Sequence, residues 1–138
     1  MNEYQFKDLS IGLSANFSVE ITQKMVDSFC EISNDRNPLH TNREYAQSLG
    51  HKDVVVHGCL TNSFLSQLAG VHLPGKYCLI LSINSNFSAP VFIGDVLSVE
   101  GEVSELSEST KTCIVKAKMT NQQGKIVLKS RLLLRLEV

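Results

Sequence analysis

Near the middle of the chain, residues 57–70 read HGCLTNSFLSQLAG. Apolar side chains recur here at the spacing of an α-helix, and they are Leu60, Phe64, Leu65, Leu68 and Ala69. A helix that is apolar on more than one face has to be buried. The stretch therefore predicts a buried helix that starts at His57-Gly58 and ends near Gly70.

From Lys76 onward, apolar and polar side chains alternate in long runs. These runs predict four strands over 77–87, 95–106, 112–120 and 126–138, with a hairpin turn at residues 121–124, which read NQQG. Such alternation is typical of an antiparallel sheet that has one buried face and one face in water.

Two shorter helices are predicted before the central one. Residues 22–32 place apolar side chains at helical spacing after a possible N-cap at Thr22, and an ordered loop follows. Asn42 can cap a second short helix that continues to Ser48. This order of elements predicts an α+β fold in which a curved antiparallel sheet wraps the central helix.

The composition favours one globular domain over residues 1–138, because 43% of the residues are hydrophobic and 20% are charged. The formal net charge is −1, so no broad positive field is available to attract nucleic acid. No apolar run approaches the roughly 18 to 20 residues that span a bilayer, and the first residues carry no export signal. We expect a cytoplasmic protein that binds neither nucleic acid nor membrane.

The cysteines do not form a metal-binding pattern. Cys30, Cys59, Cys78 and Cys113 are too far apart in sequence for a Cys-x-x-Cys pair, and each lies in an apolar or strand-like stretch. We therefore expect buried, reduced thiols, with no metal and no cofactor.

The strongest candidate for chemistry is residues 35–40, which read DRNPLH. The Asp35 carboxylate and the His40 imidazole, on a loop stiffened by proline, can converge on one water molecule, as general acid–base catalysis at neutral pH requires. The spacing alone also allows a simpler interpretation, in which Asp35 ends the preceding helix and His40 is a solvated loop histidine.

A second candidate is His57-Gly58, which lies where a β-branched run over 54–56 meets the buried helix. The first turn of a helix offers unpaired N–H groups and a partial positive charge, and glycine lets another molecule approach this backbone. The pair is a candidate oxyanion hole. Equally, Gly58 could be a steric spacer and His57 a cap or a core histidine.

Together these motifs resemble those of one known family. The D-x-N-P-x-H segment at 35–40 is followed by V-H-G-C-L at 56–60, by L-P-G at 73–75, and by P-V-F-I-G-D at 90–95. In this order and spacing, the chain resembles the MaoC-like, (R)-specific enoyl-CoA hydratases of the hot-dog superfamily, from about Ser18 to the C-terminus.

The resemblance implies a single hot-dog domain with Asp35 and His40 as the catalytic pair on an overhanging segment. It also implies that the backbone N–H of Gly58 receives the thioester oxygen. His57 and Asn37 are expected to bind or orient the substrate.

Ser66 matches a serine of that family that hydrogen-bonds near the catalytic aspartate. It lies about 12 Å along the helix from Gly58, at 1.5 Å per residue. Three roles stay open for it: orienting Asp35, lining an acyl tunnel, or packing as a plain core serine.

The expected reaction is reversible hydration of a trans-2-enoyl-CoA to the (R)-3-hydroxyacyl-CoA. Three alternatives are a dehydratase that acts on acyl-carrier-protein thioesters, a thioesterase, and a module that binds acyl thioesters without turnover. Because the predicted sheet leaves strand edges open, we also expect a homodimer with the active site near the subunit boundary.

Overall fold

The computed structural model, which describes all 138 residues, is built on one antiparallel sheet of five strands. The strands are β1 (Ser14–Glu20), β2 (Cys78–Phe87), β3 (Val96–Ser107), β4 (Thr112–Thr120) and β5 (Ile126–Leu136). Their order across the sheet is β1-β3-β4-β5-β2, and every neighbouring pair is antiparallel. The four strands predicted from alternation are present, with ends within two residues of those expected.

Four α-helices precede β2: α1 (Gln23–Ser33), α2 (Pro38–Thr41), α3 (Arg43–Ser48) and α4 (Gly58–Gln67). A 3₁₀ turn at Phe6–Asp8 precedes β1. A turn of wider helix at Leu68–His72 extends α4. Both expected caps form, because Thr22 accepts a hydrogen bond from the Met25 N–H and Asn42 accepts one from the Tyr45 N–H. The α+β class predicted from the sequence is confirmed.

Two elements differ from the prediction. The strand count was wrong because β1 was missed, although Ala15, Phe17 and Val19 alternate there with polar residues. The ordered loop predicted after α1 contains a helical turn, α2, which starts at Pro38 behind an Asn37 cap. A single turn is too short to produce a periodic pattern, so only the Asn-Pro pair signals it.

A row of small residues makes room for α4 on the inner face of the sheet. The row crosses all five strands in register through Ala15, Gly101, Ala117, Ser130 and Ser85. At Gly101 an added Cβ would lie 2.7 Å from Cδ2 of Leu68 and 3.0 Å from Cγ1 of Val115. The helix and the sheet therefore approach closely at Gly101, where any side chain would displace Leu68.

The thiols are free, and they differ in exposure. Cys30 and Cys113 are buried and Cys78 is partly buried. Burial raises the pKa of Cys78 to about 12 and that of Cys113 to about 11, so both stay protonated at neutral pH. The expectation of a buried thiol was wrong for Cys59, which is exposed on the first turn of α4.

None of the helices combines the length and the apolar composition needed to cross a membrane.

We predict that Gly101→Ala destabilises the fold. Its methyl group would overlap Leu68, which is fully buried and has little room to move. Overpacking of this kind costs about 1–3 kcal/mol in the free energy of unfolding, measurable by urea denaturation. Gly70→Ala is the matched control, because a Cβ there meets nothing within 4 Å. Equal stability of the two variants would contradict the packing argument.

Candidate active site

The segment between α1 and α3 holds the predicted acid–base pair in a network of short local hydrogen bonds. The Asn37 N–H donates to Oδ1 of Asp35 at 3.1 Å, and the Leu39 N–H donates to Oδ1 of Asn37 at 2.9 Å. Asn37 thereby caps α2 and places His40 on that turn. Both of these contacts order the backbone that carries Asp35 and His40, and the expectation that Asn37 binds or orients the substrate stays a prediction.

Val55 fixes both the position and the tautomer of His40. Its N–H donates to the Leu39 carbonyl at 3.0 Å, and its carbonyl lies 2.5 Å from Nδ1 of His40. A carbonyl only accepts, so Nδ1 carries the proton and Nε2 carries the lone pair. Nε2 lies 3.8 Å from Oδ2 of Asp35, which is too far for a direct hydrogen bond. His40 Nε2 and Asp35 Oδ2 are therefore two hydrogen-bond acceptors that lie close together.

The segment that carries Val55 is itself tied to α3. Arg43 pairs with Asp53 at 2.8 Å, and Asp53 also accepts a hydrogen bond from the Val54 N–H. The Val54 N–H and then Arg43 hold the pKa of Asp53 below its usual value. Asp53 is therefore ionised at neutral pH. Its contacts link α3 to residues 54–56, the segment whose Val55 carbonyl contacts His40.

His57 touches both members of the pair. Its ring stacks on the His40 ring with centroids 3.9 Å apart, and its Nε2 lies 3.0 Å from the Asp35 carbonyl. Since that carbonyl can only accept, Nε2 donates and Nδ1 is left as an acceptor, which is buried without a partner. His57 is 2% exposed and precedes α4 directly, so it joins the segment that carries Asp35 and His40 to the central helix.

Gly58 opens α4 at the edge of a cavity of about 370 Å³ that His40 also lines. No side chain caps this end of the helix. A Cβ at position 58 would lie 3.2 Å from the Phe87 ring on the opposite wall. Glycine thus keeps the cavity open beside the first N–H groups of the helix, where negative charge is stabilised.

Some candidate residues lie outside this cavity. Ser66 is exposed in the last turn of α4, forms no side-chain hydrogen bond and does not line the cavity, so it is not the core serine that the sequence allowed.

Asp35, His40 and His57 each place one possible metal ligand within 4.8 Å of the others. Each histidine has one ring nitrogen that is not used on a carbonyl, so these contacts do not decide whether a metal binds, and the expected absence of a metal stays a prediction.

Two contributors were missed by the sequence analysis. The Val55 carbonyl orients His40. Because every residue has a backbone carbonyl, the sequence could not show which one has this role. Thr61 lines the cavity one turn after Gly58, but α4 contains other polar residues such as Asn62 and Ser63, so residue type did not single it out.

A family model described as "MaoC like domain" matches residues 10–124, so the chain belongs to the MaoC-like domain family. It is 39% identical over 101 residues to a 3-hydroxybutyryl-CoA dehydratase of Methylorubrum extorquens, a match that covers 73% of this chain and 64% of that protein. It is 32% identical over 122 residues to an (R)-specific enoyl-CoA hydratase of Aeromonas caviae, covering 88% of this chain and 91% of that one.

The solved structure of the A. caviae (R)-hydratase involved in PHA biosynthesis superposes with a TM-score of 0.90 at 31% identity. The match covers 94% of this chain and 98% of that one. The hot-dog fold and the family resemblance expected from the sequence are confirmed.

We predict that His57→Leu loosens the catalytic segment without unfolding the sheet. Loss of the hydrogen bond to the Asp35 carbonyl removes about 0.5–1.5 kcal/mol, so amides over 34–42 should exchange with deuterium about 2- to 10-fold faster. His57→Gln, which can still donate, should exchange more slowly than the leucine variant. His51→Leu is the control, because that side chain forms no hydrogen bond. Unchanged exchange over 34–42 in His57→Leu would show that His57 does not hold the segment.

Proposed function

We propose that this chain is a hydro-lyase that catalyses reversible hydration of trans-2-enoyl-CoA to (R)-3-hydroxyacyl-CoA. One observation carries the proposal: the Asp35 carboxylate and His40 Nε2 face each other across 3.8 Å beside the open N-terminus of α4. The relatives named (R)-specific enoyl-CoA hydratase and 3-hydroxybutyryl-CoA dehydratase support the same reaction. The single domain over 1–138 and a role in fatty acid metabolism are part of this proposal.

The pair binds and deprotonates the attacking water. His40 Nε2 and the Asp35 carboxylate are both acceptors, so a water between them donates one hydrogen bond to each and turns its lone pairs toward the substrate. As the water attacks the β-carbon, one of the two groups takes its proton. The same pair then delivers a proton to the α-carbon, so the reaction needs no net proton from solvent.

The start of α4 stabilises the charge that forms on the substrate. Attack at the β-carbon turns the thioester carbonyl into an enolate, whose oxygen becomes negative. The Gly58 N–H and the positive end of the helix dipole face the cavity where this oxygen would bind. His57 holds the acid–base segment next to the start of α4, because it contacts His40 and the Asp35 carbonyl and directly precedes Gly58.

Two variants test the acid–base pair. Asp35→Asn and His40→Gln should each lower the hydration of crotonyl-CoA by about 10²- to 10⁴-fold, measured as the loss of enoyl absorbance. Asp35 is about half exposed, so its variant should keep the melting temperature, whereas His40→Gln should lower it slightly by losing the Val55 contact. Asp27→Asn and His51→Gln serve as controls.

Wild-type turnover in both pair variants would mean that the site is misassigned. No turnover by the wild-type protein, over several chain lengths and on both CoA and carrier-protein thioesters, would refute the hydratase function itself. A higher kcat/KM on the carrier-protein thioester would favour the dehydratase alternative, which uses the same groups in the reverse direction. Acyl-CoA binding without turnover would favour a binding module.

We propose further that the chain is a cytoplasmic homodimer paired along β2. This strand bonds only to β5, so its other edge is open. It carries Leu79 and Leu81, which are 43% and 45% exposed, and it ends at Phe87 in the wall of the cavity. A second copy at this edge would bury these side chains and bring the subunit boundary to the active site.

Sedimentation velocity tests the assembly. The wild-type protein should sediment as a dimer at micromolar concentration, and Leu81→Arg should shift it toward monomer by placing a charge in the interface. Ile11→Arg, before β1 at the opposite edge of the sheet, should leave the dimer intact. A wild-type monomer at this concentration would contradict the proposal.

A further inference from the structure

The hydroxyl of Thr61 is a buried polar group with no partner in the fold. Thr61 is 2% exposed, and its Oγ1 makes no hydrogen bond, although a threonine in a helix can bond the carbonyl four residues back. Buried side-chain hydroxyls in folded proteins are nearly always paired, so an unpaired one calls for an explanation. Ligand binding is one recognised explanation.

Thr61 lies in the wall of the active-site cavity, near the proposed oxyanion donor. Gly58 and Thr61 line the same cavity and are three residues apart on α4, a rise of about 4.5 Å at 1.5 Å per residue. Side chains on a helix lean toward its N-terminus, so the Thr61 side chain covers the turn that begins at Gly58. The Thr61 side chain therefore lies close to the Gly58 N–H on the cavity wall.

The rest of the cavity wall offers this hydroxyl no alternative partner. Besides Thr61, the only lining side chains with a polar atom are His40 and Ser88. His40 is oriented by Val55 toward Asp35, and the remaining walls are apolar side chains and glycine. A group that binds here must bring its own acceptor, and a thioester supplies one in its carbonyl oxygen.

We propose that the Thr61 hydroxyl is a second hydrogen-bond donor to the thioester oxygen, beside the Gly58 N–H. This inference rests on the proposed hydratase function and deepens it. Thr61 keeps its proton throughout, and its hydrogen bond strengthens as the oxygen gains enolate charge. The hydroxyl is left unpaired in the folded chain because its partner is the substrate.

The test compares Thr61→Val, which keeps the shape and removes the hydroxyl, with Thr61→Ser, which keeps the hydroxyl. With crotonyl-CoA, kcat of Thr61→Val should fall about 10- to 100-fold, with a smaller change in KM, since the contact is strongest in the transition state. Thr61→Ser should retain most of the turnover. The melting temperature of Thr61→Val should stay level or rise, because the variant loses an unpaired buried polar group.

A binding measurement keeps the test independent of turnover. Acetoacetyl-CoA carries the same thioester oxygen and is not hydrated, so calorimetry should show weaker binding to Thr61→Val than to the wild-type protein or to Thr61→Ser. Thr120→Val controls for the substitution itself, because Thr120 lies on β4 outside the cavity and its side chain forms no hydrogen bond.

Thr61→Val with wild-type kcat and wild-type affinity for acetoacetyl-CoA would overturn the proposal. A fall in melting temperature that Thr61→Ser reverses would also overturn it, because the hydroxyl would then serve the fold, for example through the unpaired Nδ1 of His57. If the wild-type protein binds acetoacetyl-CoA but hydrates no enoyl thioester, the hydratase function fails, and the binding comparison alone decides the role of Thr61.

Discussion

The close contact of the central helix with the sheet at Gly101 sets the position of the helix that carries Gly58. Leu68, at the end of α4, occupies the space that a side chain on Gly101 would fill. Small residues in register on the other four strands extend this space across the whole sheet. The depth and direction of α4 are therefore set by packing at its C-terminal end, and its N-terminus with Gly58 is held at the cavity as a consequence.

The acid–base half of the site is held by different forces. Asp35 and His40 lie on a surface segment that contributes no residue to the main hydrophobic cluster. Backbone and side-chain hydrogen bonds to Asn37, Val55 and His57 hold this segment instead. His57 is the one side chain that belongs to both halves, because it stacks on His40, bonds the Asp35 backbone and directly precedes Gly58.

Sequence patterns predicted those parts of the structure that repeat. Strict alternation identified four strands, and helical spacing identified α1 and α4, because burial imposes a period on many residues at once. The motif at 35–40 and the His57-Gly58 pair included His40 and Gly58, which line the cavity, and Asp35 and His57, which lie against His40. Patterns could not show that the Val55 carbonyl sets the tautomer of His40, or that Ser66 lies exposed on α4, since both depend on three-dimensional contacts. The strand β1 was within reach of the same alternation rule, since Ala15, Phe17 and Val19 alternate there with polar residues, but it was missed.

The division of the site into two halves gives them different stabilities. The cavity wall on α4 is backed by Leu60, Leu65 and Leu68, which pack into the main core, so it persists for as long as the sheet does. The segment with Asp35 and His40 opens whenever a few hydrogen bonds break, and such local opening costs far less free energy than global unfolding. The segment with Asp35 and His40 is therefore the more fragile half of the site, and the N-terminus of α4 is the more robust one. Mild heating or denaturant should disorder this segment before it displaces the N-terminus of α4.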